Sequence, residues 1–185
     1  MERLTLEQKL ANFQPGVFCP FDDLTKDEIK DLSSHIKWRE AGEVIAYLGA
    51  EKLKAHLPSF LEMLQDRNWP AAGKVSDMFV RSPEIVADTI ADFLWQTKND
   101  DQWTANVLSG VIASWSPDIT NNFTDHLIRI SSEGFESSIA AIVILKNHQL
   151  LSKNELQEVY EHAKTRFESH ENAYWKNCLD EGFNS

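Results

Sequence analysis

The sequence is poor in cysteine, glycine and proline, and it is short of positive charge. Only two cysteines, Cys19 and Cys178, occur in 185 residues, and they form no CxxC pair, so neither a disulfide framework nor a zinc ribbon is indicated. Seven glycines and six prolines are too few for the tight turns of a many-stranded sandwich or barrel. The longest apolar run, Ile139 to Leu145, falls far short of the ~20 residues that span a bilayer. The first residues, MERLTLEQKLANF, are charged and amphipathic, with no apolar core or cleavage site, so the expected location is the cytoplasm. With 18 basic against 29 acidic residues and a net charge of −11, the chain lacks the Lys and Arg from which nucleic-acid binding draws its affinity. The same field favours encounter with a cation-rich protein surface.

Motifs for nucleotide binding, ester hydrolysis and zinc-dependent hydrolysis are also missing from the sequence, and no catalytic residue is assigned. Glu158, Glu161, His162, His170 and Glu171 come nearest to a metal cluster, but on a polar C-terminal helix they read as solvated side chains. Cys19 stands near Asp22 and Asp23, whose charges would raise a thiol pKa and so discourage a nucleophile. Neither metal nor cofactor is expected.

What remains is helical. Apolar residues at i, i+3, i+4 spacing, such as Leu53, Leu57, Phe60, Leu61 and Leu64, recur along the chain, and no segment alternates with period two. The pattern predicts about ten helices, among them Leu4 to Phe13, Leu24 to Ile36, Ala41 to Leu48, Glu51 to Gln65, Pro70 to Phe79, Glu84 to Thr97, Gln102 to Trp115, Pro117 to Ile130, Ser137 to Lys146 and Ser152 to Arg166. Asp, Ser and Pro at their starts supply caps and first-turn residues. The tail from Ser169 to Ser185 is expected to add only a turn or two. Three regions follow within one compact domain: an N-terminal helical cap over 1–40, a repeat region over 41–166, and a tail over 167–185.

A shift of 34 residues superimposes Asp66-Arg67-Asn68-Trp69-Pro70-Ala71 on Asp100-Asp101-Gln102-Trp103-Thr104-Ala105, and places Phe60 on Leu94, Leu61 on Trp95 and Met78 on Ile112. A fainter third copy runs through Leu127, Ile130, Glu133, Phe135 and Ile139. In this box Asp can accept N–H bonds at a helix start, while Trp69 and Trp103 read as structural, each sealing a corner. A single hairpin cannot cover its own apolar face, so such units stack.

The stretch from Leu57-Pro58 through Ala71 resembles the HEAT-repeat pattern of helix, Asp-containing turn and helix. More narrowly, the D-x-N-W-P box resembles a bacterial HEAT-like family whose members appear among immunity proteins encoded beside polymorphic or contact-dependent toxins. The likeness spans about residues 45 to 165 and brings no catalytic residues with it. It implies an all-α fold, a HEAT-like α-solenoid of stacked antiparallel hairpins, and a cytoplasmic inhibitor of a cognate toxin.

The acidity is uneven. Between Ser82 and Leu145 nine carboxylates face only Lys98 and Arg129, a net −7. Glu84, Asp88 and Asp92 stand at i, i+4, i+8 and so share a helix face, where like charges cost a few tenths of a kcal/mol per pair. Glu84, Asp88, Asp92, Asp100, Asp101 and Glu133 are the candidate partner contacts. The expected partner is a basic toxin domain, most simply a nuclease, held by a monomer in a heterodimeric complex, with no part for nucleic acid or membrane. A general interaction scaffold is the alternative, and a glycosylase on a HEAT scaffold would need a basic groove.

Overall fold

The computed structural model describes residues 4–14, 21, 24–34, 39–96, 100–133, 135–169 and 173–184. Outside them lie the Pro15-Gly16 break, the Val17 to Asp23 loop apart from Phe21, Lys98, Asn99, Gly134, His170 and Glu171. Among the described residues the fold is all-α, with twelve α-helices and no strand. Packing divides the chain into two compact units, residues 1–89 and 90–185.

The first unit holds α1 (Leu6–Asn12), α2 (Lys26–Ser34), α3 (Arg39–Leu53), α4 (Leu57–Leu61) and α5 (Ala72–Arg81). Thr5 and Gln8 form a reciprocal capping box on α1, and Thr25 and Glu28 exchange the same pair of bonds at the start of α2. Each arrangement satisfies N–H groups that a helix start leaves open. α3 is longer than Ala41 to Leu48 because the chain continues through Gly49, whose φ of 72° kinks the helix; that left-handed conformation suits glycine. The segment Glu51 to Gln65 is not one helix. It breaks into 3₁₀ turns on either side of α4; Pro58 sits in the first turn of α4, where its missing N–H costs nothing, and it could not have donated within a helix running through from α3. α3 packs on α5, and a methyl on Gly42 would lie 2.9 Å from Ala71 Cα, so the approach of these two helices needs glycine there.

Lys9 is 2% exposed and its Nζ lies 3.4 Å from a Glu28 oxygen. Burial pushes the Glu28 carboxyl up, but bonds from the Thr25 N–H, the Thr25 hydroxyl and Lys9 outweigh it and hold the group below its ordinary range. A carboxyl with a depressed folded pKa contributes stability that is complete above its unfolded value, about 4.3, and is lost as pH falls through the folded one. Urea unfolding of wild type should therefore weaken on acidification through this range, and Glu28→Gln should lack that increment. Superimposable pH profiles would refute it.

The second unit holds α7 (Asp101–Gly110), α8 (Pro117–Thr120), α9 (Thr124–Ser131), α10 (Glu136–Asn147), α11 (Lys153–Ser169) and α12 (Ala173–Asn184). α10 packs on α7, α9, α11 and α12. The tail is not a turn or two: α12 is a full helix, because Trp175, Leu179 and Phe183 at i, i+4, i+8 give it an apolar face. That face joins Ile142, Tyr160, Ala163 and Phe167 in one core. The Tyr160 hydroxyl donates to Asp180; burial and that carboxylate push the phenol well above its ordinary value, so it stays a neutral donor.

Candidate interaction surface

Helix α6 (Pro83–Gln96) carries the division between the units within its own length. Pro83 occupies the first turn, where its missing N–H costs nothing. Val86, Ile90, Phe93 and Leu94 are buried and fix which face points inward. The other face bears Glu84, Asp88 and Asp92, all exposed. No hydrogen bond or ion pair to these three carboxylates is formed among the described residues. In the second unit Trp95 follows Asp92 by three residues, just under one helical turn, and is 61% exposed.

Trp95 is held in place. The Arg129 guanidinium stacks 5.7 Å from its ring centroid, and His126 meets it edge-on at 6.3 Å. The Arg129 Nη2 also donates to the Leu94 carbonyl at 2.6 Å, capping the C-terminal turn of α6, while Nη1 pairs with Glu133. His126 has its pKa lowered, first by burial and then by Arg129, against a smaller opposing pull from Asp125. Its Nδ1 and the Arg129 Nε are buried and have no hydrogen-bond partner among the described residues.

The six candidate carboxylates therefore separate into two groups. Glu84, Asp88 and Asp92 are open to a partner. Asp100 caps α7 by accepting from the Trp103 N–H at 2.9 Å. Asp101 reaches across to the start of α10, where it accepts from the N–H groups of Phe135, Glu136 and Ser137 and from the Ser137 hydroxyl. Glu133 is engaged by Arg129. The last three have work inside the molecule, and the clustering of charge overstates what faces outward.

The two D-x-x-W boxes are alike in sequence and different in backbone. Asp100 starts α7 at once, and Thr104 donates both its N–H and its hydroxyl to the Asp100 carbonyl. Pro70 stands at the matching place and has no N–H to give. There Asp66 instead accepts from Asn68 in a turn, and α5 begins only at Ala72. Trp103 packs on Phe93 with centroids 4.6 Å apart, in keeping with a structural role.

Trp95 and Arg129 were not among the candidates. The repeat gave no signal for Trp95: its counterpart, Leu61, is 2% exposed, whereas Trp95 is 61% exposed. Arg129 has a counterpart in Arg166, which donates to the Ser132 carbonyl and stacks over Phe135. Two arginines thus perform one operation, at the C-terminal ends of α6 and α9.

Among the described residues no helix is long and apolar enough to cross a membrane, and no group of three or more His, Cys, Asp or Glu could hold a metal ion. A family model described as a domain of unknown function, DUF5071, matches residues 39–151, more than half of the chain. No curated protein and no solved structure matches it.

Proposed function

The chain belongs to the DUF5071 family, and we propose that it acts by binding: an immunity protein of the cytoplasm that neutralises a cognate basic toxin domain, most simply a nuclease, without catalysis, cofactor, nucleic acid or membrane. The observation that carries this reading lies in the second unit, where Asp92, a carboxylate without a described internal cation, stands three residues before an exposed, braced Trp95; Glu84 and Asp88, in the first unit, are exposed and without a described cation as well. Carboxylates of this kind speed encounter with a cationic surface, and a fixed aromatic is the residue type that most often anchors an interface. A nuclease active site is cationic because it holds phosphates, so the same face could cover it or grip beside it.

The finer architecture belongs to the same proposal. Side-chain bonds link residues 34–36 apart in the second unit: Asp101 to Phe135, Glu136 and Ser137, Arg129 to Leu94, and Arg166 to Ser132. This recurrence supports reading the hairpins as HEAT-like repeats stacked in a solenoid.

The test begins at the gene immediately upstream: where it encodes a large secreted protein with a small, basic C-terminal domain, calorimetry and stopped-flow mixing measure the binding of that domain to this chain, and a neighbour without such a domain counts against the immunity reading. Converting Asp88 and Asp92 together to Lys should slow association about tenfold at low salt, with the difference shrinking as salt screens the charges. Association indifferent both to this reversal and to salt would exclude docking through α6.

A further inference from the structure

We infer that His126 is a pH-sensitive brace for Trp95: the neutral imidazole steadies the indole, and proton uptake turns the imidazole outward and loosens the indole. The ring meets Trp95 edge-on at 6.3 Å and leans on Phe123 at 6.1 Å. Phe123 is buried and packs on the buried Trp115 at 5.4 Å, so these aromatic neighbours offer His126 no carboxylate. Its Nδ1 is shut off from water and has no hydrogen-bond partner among the described residues. A neutral imidazole tolerates this, because one of its nitrogens only accepts, whereas an imidazolium carries an N–H on both. Protonation in place would therefore bury a charged donor with nothing to receive it, a cost that the ring sheds by turning toward solvent.

Nor is a second cation welcome here. An aromatic face can reward one, but the Arg129 guanidinium already lies over Trp95 and, three residues along α9, repels an imidazolium. Trp95 of α6 and Phe123 of the 3₁₀ turn Asn121–Phe123 bring no charge. α10 and α11, which also pack on α9, add none that moves His126 among the described residues. On α9 itself Asp125 favours the proton, less strongly than burial and Arg129 oppose it, and Glu133 is engaged by Arg129. The packed ring therefore titrates below its ordinary 6.5. A histidine that is easier to protonate once released loses its packing as pH falls through that ordinary value toward the packed one. All of these groups belong to the second unit. The brace itself does not depend on a toxin; on the binding function proposed above, it would make the grip weaken in acid.

NMR on the isotope-labelled full chain tests it from about pH 8 down to about 5, with Trp95→Phe assigning the indole signal. The Trp95 indole N–H should follow one titration curve with the His126 ring protons, its midpoint below 6.5. Across that curve its order parameter should fall from about 0.85 toward about 0.6, while circular dichroism stays constant. His126→Phe keeps a ring that cannot take a proton, so its indole should stay ordered and its signal flat over the whole range. Should that variant pack poorly, Asp125→Asn serves in its place: without the opposing carboxylate, both midpoints should move further down together. An indole signal that stays put while His126 titrates, that moves equally in His126→Phe, or whose midpoint reaches 6.5 or more overturns the proposal. So does a His126 that takes up no proton over this range. Neither result bears on whether α6 binds a partner, which the charge reversal at Asp88 and Asp92 decides by itself.

Discussion

Asp101→Ala is expected to destabilise the second unit by about 3 kcal/mol. Losing an ordinary helix cap costs about 1 kcal/mol, but this carboxylate serves the N–H groups of Phe135, Glu136 and Ser137 together with the Ser137 hydroxyl. The site is partly buried and Ser137 is 3% exposed, so water cannot replace every bond, and buried donors left open cost about 1–3 kcal/mol each. The negative charge also complements the positive end of the α10 dipole. Asp101→Asn, which keeps the shape and one acceptor, should lose about half as much. Urea denaturation measures the totals, and amide exchange should accelerate first at residues 136–138. A loss below about 0.5 kcal/mol, the level of an ordinary surface change, would show that these bonds contribute little.

The second large effect concerns recognition. Trp95→Ala should weaken binding of the basic partner domain by about 2 kcal/mol or more, roughly thirtyfold, as expected for an anchor residue at an interface centre. Trp95→Phe should recover part of this. Because Trp95 is 61% exposed, its removal should change folding stability by only about 0.5 kcal/mol, so the two properties separate. Unchanged affinity in Trp95→Ala would remove α6 from the interface and leave the rest of the immunity reading to other surfaces.

Much of the fold was legible because the all-α character rests on spacing that survives folding. The apolar periodicity around Leu57, Phe60, Leu61 and Leu64 did mark buried positions. Periodicity nevertheless ran across the Pro58 break, since side-chain pattern is blind to a missing N–H. The helix read from Gln102 to Trp115 likewise ends at Gly110 and gives way to a 3₁₀ turn at Ile112–Ser114. α12 was readable in principle from Trp175, Leu179 and Phe183, but its many polar residues made it resemble a tail.

The surface was less legible. Counting carboxylates between Ser82 and Leu145 cannot distinguish one that faces water from one that ties two helices together. Glu84, Asp88 and Asp92 keep the exposed placement their spacing suggested. Asp101 differs because its donors come from residues 34–36 positions away, a relation visible only once the helices are placed. Trp95 was hidden for the opposite reason, since an aromatic within a helix is ordinarily assigned to the core.

Arg129, Arg166 and Asp101 each spend their polar groups on backbone 34–35 residues away. They work as latches between helices of the second unit, and none of these bonds to the backbone involves the carboxylates of α6. On the binding function proposed above, frame and recognition can therefore be altered separately: new residues at 84, 88 and 92 would change the charge that α6 presents while the latches stay shut, whereas inserting a single residue between Leu94 and Arg129 would pull arginine and carbonyl out of step.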